Sequence, residues 1–392
     1  MRSLKAKIKR KLPWLMLDTK VDIYFLLILI ILSSAGIIMM GSASYAVALK
    51  EHSDSYYYFK KQLTWLIVGF IAMLIISLID YRVLKKKLFG KLALPWLAYG
   101  ASAFLLILVL FAPKDANNIQ RHLYIGGFQF QPSEFTKFAM ILFFAYFAEK
   151  FYSRMNTAKY GFWYFLIMLA PPLVLLFRQP HVSAIVIITI IMFAMLFISG
   201  GFKGKNLLWY GLAVVGIGVP GVILMWEKIG HVRTRIELWQ NPFANPRGDG
   251  YQTVQSIYAV GSGGVFGVGF GNSRQKLLYL PEPQNDFVFS IVCEELGFLG
   301  AVIILICFAL LVFRGLRIAA KANDKFGAFL AFGIVIQVGV QAVLNIAVVT
   351  NALPNTGISL PFFSYGGTAL LMLLAQMGVV LSVSRTSTVK KA

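Results

Sequence analysis

Long apolar runs alternate with short polar segments along almost the whole chain. A helix that crosses a bilayer needs about 20 mainly apolar residues, with a range of about 17–25. Ten runs come close to that length, so the pattern predicts an all-α protein with ten membrane-spanning helices. The predicted spans are Ile23–Met40, Leu63–Ile79, Leu92–Phe111, Pro132–Ala148, Phe162–Phe177, Val182–Ile198, Leu207–Met225, Phe287–Phe313, Phe326–Thr350 and Gly366–Val383.

Composition supports this class of protein. Of the 392 residues, 58% are hydrophobic and 14% are charged, whereas soluble proteins average about 45–50% apolar and about 25% charged residues. These values exclude an ordinary water-soluble enzyme and a disordered chain. The chain contains no recognisable repeat, so we expect a single polytopic membrane domain over residues 1–392.

The net charge of +21 is explained by where the basic residues lie. With the N-terminus inside, most Lys and Arg fall in the predicted cytoplasmic segments, including the N-terminal segment 1–22 and the tail 384–392. Both termini are therefore predicted to be cytoplasmic, and residues 226–286 form a large extracytoplasmic loop between the seventh and eighth spans. Basic clusters beside the spans suit anionic membrane lipid, and no nucleic-acid partner is needed.

The large loop carries many aromatic residues, which favours a folded segment on the outer leaflet over a disordered one. Its basic side chains, among them Arg233 and Lys276, suit an anionic partner at that surface. The alternative is a solvated loop that faces lipid headgroups. A glycine-rich stretch, Gly261–Gly271, could be a flexible turn or a backbone cradle for phosphate.

Asp286 is the last residue before the eighth predicted span. A carboxylate there can cap the helix or act as a general base toward a membrane-borne substrate. The residue pattern leaves these two roles open. Glu294 and Glu295 lie deeper, where ionisable groups are costly and usually functional.

A second polar group opens the fourth span and contains Gln131, Ser133, Glu134 and Lys137. Glu134 and Lys137 are three residues apart and share one helical face. Their ion pair could either hold helices together or line a cavity. Arg121 adds another predicted outside charge near this group.

A third region is the uncharged outside loop that contains Ser364. Its prolines and glycines indicate tight turns or a re-entrant hairpin, which is tolerated at membrane depth only when protein shields it. Gln341 and Asn345 lie inside the preceding span and need partners across helices.

These three regions together resemble one family. The segments QPSEFTK (131–137), YLPEPQNDFVFSIVCEELGFLG (279–300) and NALPNTGISLPFFSYGGT (351–368) are similar to those of the SEDS family of shape, elongation, division and sporulation proteins, and more to its division and sporulation branch than to its elongation branch. The likeness covers nearly the whole chain. Where the family commonly has Gln-Pro-Asp, this chain has Gln179, Pro180 and His181, so no role is carried onto His181.

The resemblance implies a peptidoglycan glycosyltransferase that polymerises lipid II at the outer face of a bacterial cytoplasmic membrane, for septal or spore wall synthesis. It places the family's essential acidic residue at Asp286, as the base of an inverting transfer. The predicted substrate-binding residues are Arg121, Gln131, Ser133, Glu134, Lys137, Arg233, Lys276, Glu295 and Ser364. It also implies a class B penicillin-binding protein as partner, and a divalent cation, Mg²⁺ or Mn²⁺, could assist the leaving pyrophosphate.

Two other functions fit parts of the sequence. A lipid II flippase would use the intramembrane charges as a headgroup pathway, although no inverted repeat is visible. A non-catalytic scaffold for a transpeptidase would need no catalytic carboxylate.

Overall fold

The structure is a computed structural model that describes residue 16 and residues 21–88, 92–113, 120–125, 128–202, 205–213, 236–248 and 250–386. Within these ranges the protein is mainly helical. The helices are α1 (Ile23–His52), α2 (Tyr57–Leu78), α3 (Leu94–Val109), α4 (Pro132–Lys150), α5 (Phe165–Arg178), α6 (Val182–Ile198), α7 (Lys205–Ala213), α8 (Tyr251–Ser262), α9 (Val288–Ala320), α10 (Lys325–Val349) and α11 (Gly367–Thr386).

Two short antiparallel hairpins connect helices. Strands β1 (Lys87–Leu88) and β2 (Leu92–Ala93) join α2 to α3, and β3 (Leu123–Ile125) and β4 (Phe128–Phe130) lead into α4. The second hairpin is tied to α11, because the Thr368 hydroxyl donates to the Gln129 carbonyl at 2.9 Å. It thereby brings the beginnings of α4 and α11 to the same end of the bundle.

A described helix overlaps each of the ten predicted spans, the seventh only through α7, since residues 214–235 lie outside the described ranges. Six helices are long and apolar enough to cross a membrane: α1, α2, α9, α10, α11 and the continuous segment Lys159–Arg178 that ends with α5. α3 and α6 are apolar but shorter, at 16 and 17 residues. A multi-pass helical protein is therefore confirmed, while the number of ten spans stays a prediction.

The first span is longer than its predicted limit at Met40. Residues 41–49 are mostly small or apolar, and no proline follows before His52, so the helix continues to that residue. α1 begins at an effective N-cap, since the Asp22 carboxylate accepts from the Phe25 amide at 3.0 Å. It ends at His52, and the next residue, Ser53, is the C-cap and has a left-handed backbone.

The spans pack as neighbouring pairs. α11 lies along α2, α9 along α10, and α3 along α4. Glycine allows the first pair to approach closely, because a Cβ added to Gly378 would lie 2.6 Å from the Met73 carbonyl oxygen. Small residues at such crossings are typical of membrane helix packing, where van der Waals contact drives association.

The interhelical loop before α10 is fixed by charge. Asp324 caps α10 through the Gly327 amide at 2.8 Å and accepts from Arg82 Nε at 3.0 Å. Burial alone would raise the pKa of Asp324, but the Gly327 amide, the Lys85 charge and the hydrogen bonds from Tyr81 and Arg82 together lower it. This end of the bundle is the one predicted to be cytoplasmic.

Cysteine labelling tests the predicted orientation. Arg247 lies in the predicted outside loop and Lys321 in a predicted cytoplasmic loop, and both side chains are exposed. In a background without Cys293 and Cys307, a membrane-impermeant maleimide added to intact cells should label the Arg247→Cys variant and not the Lys321→Cys variant. Both variants should react after permeabilisation, and the reverse pattern in intact cells would overturn the orientation.

Candidate active site

Asp286 lies two residues before α9 and does not cap it. The N-cap position belongs to Phe287, and no side-chain hydrogen bond closes that end. The capping interpretation of Asp286 is therefore wrong. Its backbone carbonyl instead accepts from Asn345 Nδ2 at 2.8 Å, and the same amide nitrogen donates to the Ile358 carbonyl at 2.6 Å. This confirms that Asn345 finds partners outside its own helix.

The Asp286 carboxylate faces the loop between α10 and α11. A Cβ added to Gly357 would lie 3.1 Å from Asp286 Oδ2, and Gly357 has a left-handed backbone with φ of 65°. Only glycine meets both demands without strain. Burial raises the pKa of Asp286 to about 6, with a further rise from the Glu282 charge and an opposing effect from Arg121.

The predicted ion pair of α4 is present and buried. Lys137 Nζ lies 2.7 Å from Glu134 Oε1, and the two side chains are 2% and 14% exposed. Glu134 also lines a crevice with Gln341 and with residues 359–362 and 364–366. The pair itself lies within one helix, and Glu134 has access to a cavity, so the choice between the structural and the cavity interpretation stays open.

Arg121 and the beginning of α6 form another side of this region. Arg121 Nη2 donates to the Pro180 carbonyl at 2.7 Å. The next residue, His181, is buried, and its Nδ1 has no hydrogen-bond partner within the described ranges. Burial, together with the charges of Arg121, Lys137 and His122, lowers the pKa of His181 to about 3. His181 is therefore a neutral imidazole at physiological pH.

Gly357 links the beginning of α6 to Asp286. The Ser183 hydroxyl donates to the carbonyl of Thr356 and, at 3.2 Å, to that of Gly357. The structure thus gathers Asp286, Arg121, His181 and the Glu134–Lys137 pair around one loop. Sequence reasoning proposed all of these positions for the site except His181.

Three further predicted substrate-binding residues lie in this region, and their contacts within the protein differ. Gln131 is the N-cap residue of α4. Ser133 is buried, and its hydroxyl has no partner among the residues that the structure describes. Ser364 has a local structural contact, because its hydroxyl accepts from the Leu360 amide at 2.7 Å. Substrate contacts by these three residues stay predictions.

Lys276 and Glu295 are bound to each other and are not brought to Asp286. Lys276 Nζ lies 2.7 Å from Glu295 Oε1 and also contacts Ser42 and the Gly271 carbonyl. Glu295 is nine residues beyond Asp286, roughly 13 Å along a helix. Both charges are satisfied inside the protein, which favours a structural role over the predicted substrate contacts. Arg233 lies outside the described residues.

The glycine-rich segment docks against a break in α9. Gly297 interrupts that helix with φ of 66° and ψ of −168°. Val268 N and Gly269 N donate to the carbonyls of Glu294 and Glu295 at 2.9 and 3.1 Å. Because these amides are occupied, they cannot cradle phosphate, and the segment is anchored rather than a free turn. In the sequence, Gly297 itself is the one sign of this break.

Metal binding has limited support from the side chains. The described ranges contain no group of three His, Cys, Asp or Glu side chains that could hold an ion. Mg²⁺ commonly uses one or two carboxylates together with substrate phosphates. Asp286 is the carboxylate that would take part, and the cation stays a prediction.

The arrangement suits group transfer from an anionic donor. A carboxylate with a pKa near neutral can accept a proton, and Arg121 with the beginning of a long helix can stabilise negative charge on a leaving group. This chemistry needs one carboxylate as the base, and a second carboxylate with a raised pKa is not required. The fold and the site are therefore compatible with a membrane-embedded transferase.

Comparison with known sequences identifies the family. The sequence pattern of the FtsW/RodA/SpoVE family, described as cell cycle proteins, matches residues 22–389. The chain is 39% identical to the probable peptidoglycan glycosyltransferase FtsW of Geobacter sp. strain M18, over 88% of this chain and 91% of the relative. It is 38% identical to stage V sporulation protein E of Bacillus subtilis, over 94% and 98%. The chain belongs to the FtsW/RodA/SpoVE family.

Solved structures agree with this assignment. One is a chain of a peptidoglycan synthase complex that coordinates polymerisation and crosslinking, with a TM-score of 0.75, 26% identity and coverage of 94% of this chain and 99% of that chain. Another is the rod shape determining protein RodA of Thermus thermophilus, with a TM-score of 0.67, 25% identity and coverage of 94% and 98%. The resemblance drawn from the sequence motifs is confirmed.

A double-variant cycle tests the role of the buried pair. Lys137→Met leaves the Glu134 carboxylate buried and unpaired, which should cost about 3–5 kcal/mol of stability. Adding Glu134→Gln should restore the melting temperature, because no unpaired charge remains. If the pair serves the cavity, glycan polymerisation should stay low in this stable double variant.

The matched control is the less buried pair Lys85–Glu149, whose nitrogen and oxygen are also 2.7 Å apart. The double variant Lys85→Met/Glu149→Gln should polymerise normally. Normal polymerisation by the stable Glu134→Gln/Lys137→Met protein would remove the pair from the site and leave it a structural role.

Proposed function

We infer that this protein is a peptidoglycan glycosyltransferase that acts in cell division or sporulation. Its relatives carry that name or a sporulation name over most of the chain, and its long apolar helices make it a multi-pass membrane protein. The observation that carries the catalytic part of the proposal is Asp286. It is a single carboxylate of raised pKa, held by Asn345 beside Gly357 at the predicted outer end of the bundle.

The proposed substrate is lipid II, on both the donor and the acceptor side. The acceptor's GlcNAc 4-hydroxyl oxygen attacks C1 of the donor MurNAc, and a new glycosidic C–O bond forms with inversion. Asp286 takes the hydroxyl proton. The bond from C1 to the pyrophosphate oxygen breaks, and undecaprenyl pyrophosphate leaves with the electron pair. General-base assistance of this kind contributes typically about 10²–10⁴-fold in rate.

The charges around Asp286 fit the two halves of this reaction. The Arg121 charge lowers the pKa of both Asp286 and His181, and its Nη2 is bound to the Pro180 carbonyl at the beginning of α6. Positive groups fixed in a site of low dielectric stabilise a developing anion without reorganisation. Arg121 is thus proposed to face the leaving pyrophosphate while it lowers the pKa of the base.

The proposed partner is a class B penicillin-binding protein. One similar chain comes from a complex that coordinates polymerisation with crosslinking, and the crosslinking step needs a transpeptidase. We propose that the protein lies in the bacterial cytoplasmic membrane with both termini inside, which puts Asp286 at the leaflet where the glycan strand is made.

Asp286→Asn is the direct test of catalysis. Asparagine keeps the size of the side chain but cannot accept a proton, so purified full-length protein should lose polymerisation of lipid II by about 10²-fold or more. The melting temperature at pH 7.5 should not fall, because burial disfavours the aspartate charge that is removed.

The matched control is Glu282→Gln, which removes a neighbouring exposed carboxylate. It should retain polymerisation at pH 7.5. A near wild-type rate in purified Asp286→Asn protein would refute the catalytic assignment. Transport of lipid II without polymerisation would then favour a flippase, and crosslinking supported without either activity would favour a scaffold.

The pH dependence follows from the raised pKa of Asp286. The base is active when ionised, so the rate should fall about tenfold per pH unit below pH 6 and level off above it. Glu282 raises the pKa of Asp286 by its charge, so Glu282→Gln should move this acid limb to lower pH. An acid limb that is unchanged in the Glu282→Gln protein would mean that another group sets it.

A further inference from the structure

Gln341 has a buried side chain on α10 that the protein itself does not pair. It is 5% exposed. Its place inside a span predicted a partner on another helix, but its amide makes no hydrogen bond within the described ranges. One turn later on the same helix, Asn345 donates to two backbone carbonyls, those of Asp286 and Ile358. Because a buried polar group without a partner is costly, Gln341 is suited to bind a group from outside the protein.

The Gln341 side chain lines the crevice that also contains Glu134. The volume of this crevice is about 30 Å³. A space of that size admits a group of a few atoms but not a sugar ring. Gln341 and Glu134 give the crevice a polar part, and Leu360, Leu370 and Leu373 give it an apolar part. The crevice therefore suits a small ligand group that is itself part polar and part apolar.

The polar part offers both a donor and acceptors. Lys137 Nζ donates to Glu134 Oε1 at 2.7 Å, and the other carboxylate oxygen, Oε2, has no hydrogen-bond partner among the described residues. An ionised carboxylate only accepts, whereas the amide of Gln341 can donate through nitrogen and accept through oxygen. A ligand group that satisfies both side chains must carry an N–H or O–H donor and an acceptor oxygen.

An acetamido group has the parts that this crevice requires. Its N–H can donate to Glu134, its carbonyl oxygen can accept from Gln341, and its methyl group can pack against the leucines. A phosphate would be repelled by the Glu134 charge. A hydroxyl would leave the apolar part of the crevice unfilled, so an acetamido group is the better match.

The loop between α10 and α11 places this crevice beside the proposed base. Gly357 of that loop lies against the Asp286 carboxylate, and Ser359 and Tyr365 line the crevice. Tyr365 N also donates at 2.8 Å to the carbonyl of Gln284, two positions before Asp286. In an amino sugar the 2-acetamido group is attached next to C1, and C4 lies across the same ring. A sugar held by this group would thus present a reacting position toward Asp286.

We propose that Gln341 and Glu134, together with the apolar part of the crevice, form a subsite for the 2-acetamido group of an N-acetylated sugar of the substrate. Gln341 is a substrate-binding residue in this subsite and sets its specificity. The inference rests on the proposed function, since it names the part of the substrate that the site recognises. Both sugars of lipid II carry such a group, and the test distinguishes between them.

The test combines variants of the purified full-length protein with two lipid II analogues. Each analogue has a hydroxyl in place of one 2-acetamido group, on GlcNAc in the first and on MurNAc in the second. Gln341→Met keeps the length of the side chain but cannot form these hydrogen bonds. The matched control is Gln337→Met, since Gln337 lies one turn away on α10, is 1% exposed and does not line the crevice.

The first readout is kcat/KM for polymerisation. The wild-type and Gln337→Met proteins should lose about tenfold or more on one of the two analogues, and that analogue identifies the sugar. Gln341→Met should use lipid II about as poorly as the wild type uses this analogue, and should lose little more on the analogue, because the contact is already gone. Its melting temperature without ligand should not fall, since an apolar side chain replaces an unpaired amide.

Equal use of lipid II and both analogues by the wild type would overturn the proposal and mean that the crevice holds water only. This comparison needs no variant, so it decides the question even if Gln341→Met does not fold. A loss on the analogues that is the same in wild type and folded Gln341→Met would also overturn it, because another residue would then recognise the acetamido group.

The second readout is the shift in melting temperature on binding of lipid II or of each analogue, and it lets the two proposals fail separately. Lipid II that stabilises the wild type more than one analogue does, with this difference absent in Gln341→Met, in a protein that does not polymerise, would keep the subsite and reject the glycosyltransferase. Polymerisation with undiminished discrimination in folded Gln341→Met would reject the subsite and leave the proposed function standing.

Discussion

The break in α9 is the constraint on which the placement of the site depends. Inside a membrane a helix cannot leave its backbone groups without partners, because each such group costs several kcal/mol. At Gly297 the glycine-rich segment supplies these partners. Val268 N and Gly269 N donate to helix carbonyls before the break. After the break, Phe298 N and Leu299 N donate to the carbonyls of Gly264 and Val265. The segment that leads to Asp286 is thereby fixed to the helix that follows Asp286. Side chains have no room at this contact, since a Cβ on Gly297 would lie 2.2 Å from Gly267 N.

The deep glutamates reinforce the same junction. Glu294 accepts from the Ser273 hydroxyl and from the Arg274 amide at 2.9 Å, and Glu295 pairs with Lys276. Charges buried in this way are costly, and they persist when every donor and acceptor is satisfied. They therefore hold the loop in one arrangement, which sets the position of Asp286 at the end of that loop. These intramembrane charges thus position the loop, and the substrate contacts predicted for Glu295 and Lys276 stay predictions.

Much of the fold was predictable because its signal is local. Apolar runs of the right length located helices at each predicted span, and the spacing of Glu134 and Lys137 predicted their ion pair correctly. The features that could not be predicted depend on contacts between residues that are distant in sequence. The role of Asp286 as a cap was open until the helix was seen to begin beyond it, and Lys276 could not be matched with Glu295 from spacing alone. The surroundings of His181 were hidden for the same reason: the charges that act on it, Arg121 and Lys137, are 60 and 44 positions away.

The polar groups of the bundle divide into two kinds by how completely they are paired. Lys276, Glu294 and Glu295 have partners for their charged atoms within the protein, and the same holds for Asp324 at the opposite end. Asp286 and His181 differ, because each is buried or nearly so while its ionised form is disfavoured and the His181 Nδ1 has no partner among the described residues. Stability alone would remove such groups, since an apolar residue of similar size would avoid the desolvation cost. A group that takes up a proton during the reaction needs such a disfavoured charge, because its pKa has to lie near neutral. The disfavoured charge of Asp286 beside Gly357, rather than the number of charges in the membrane, is what supports the proposal that the reaction takes place in this region.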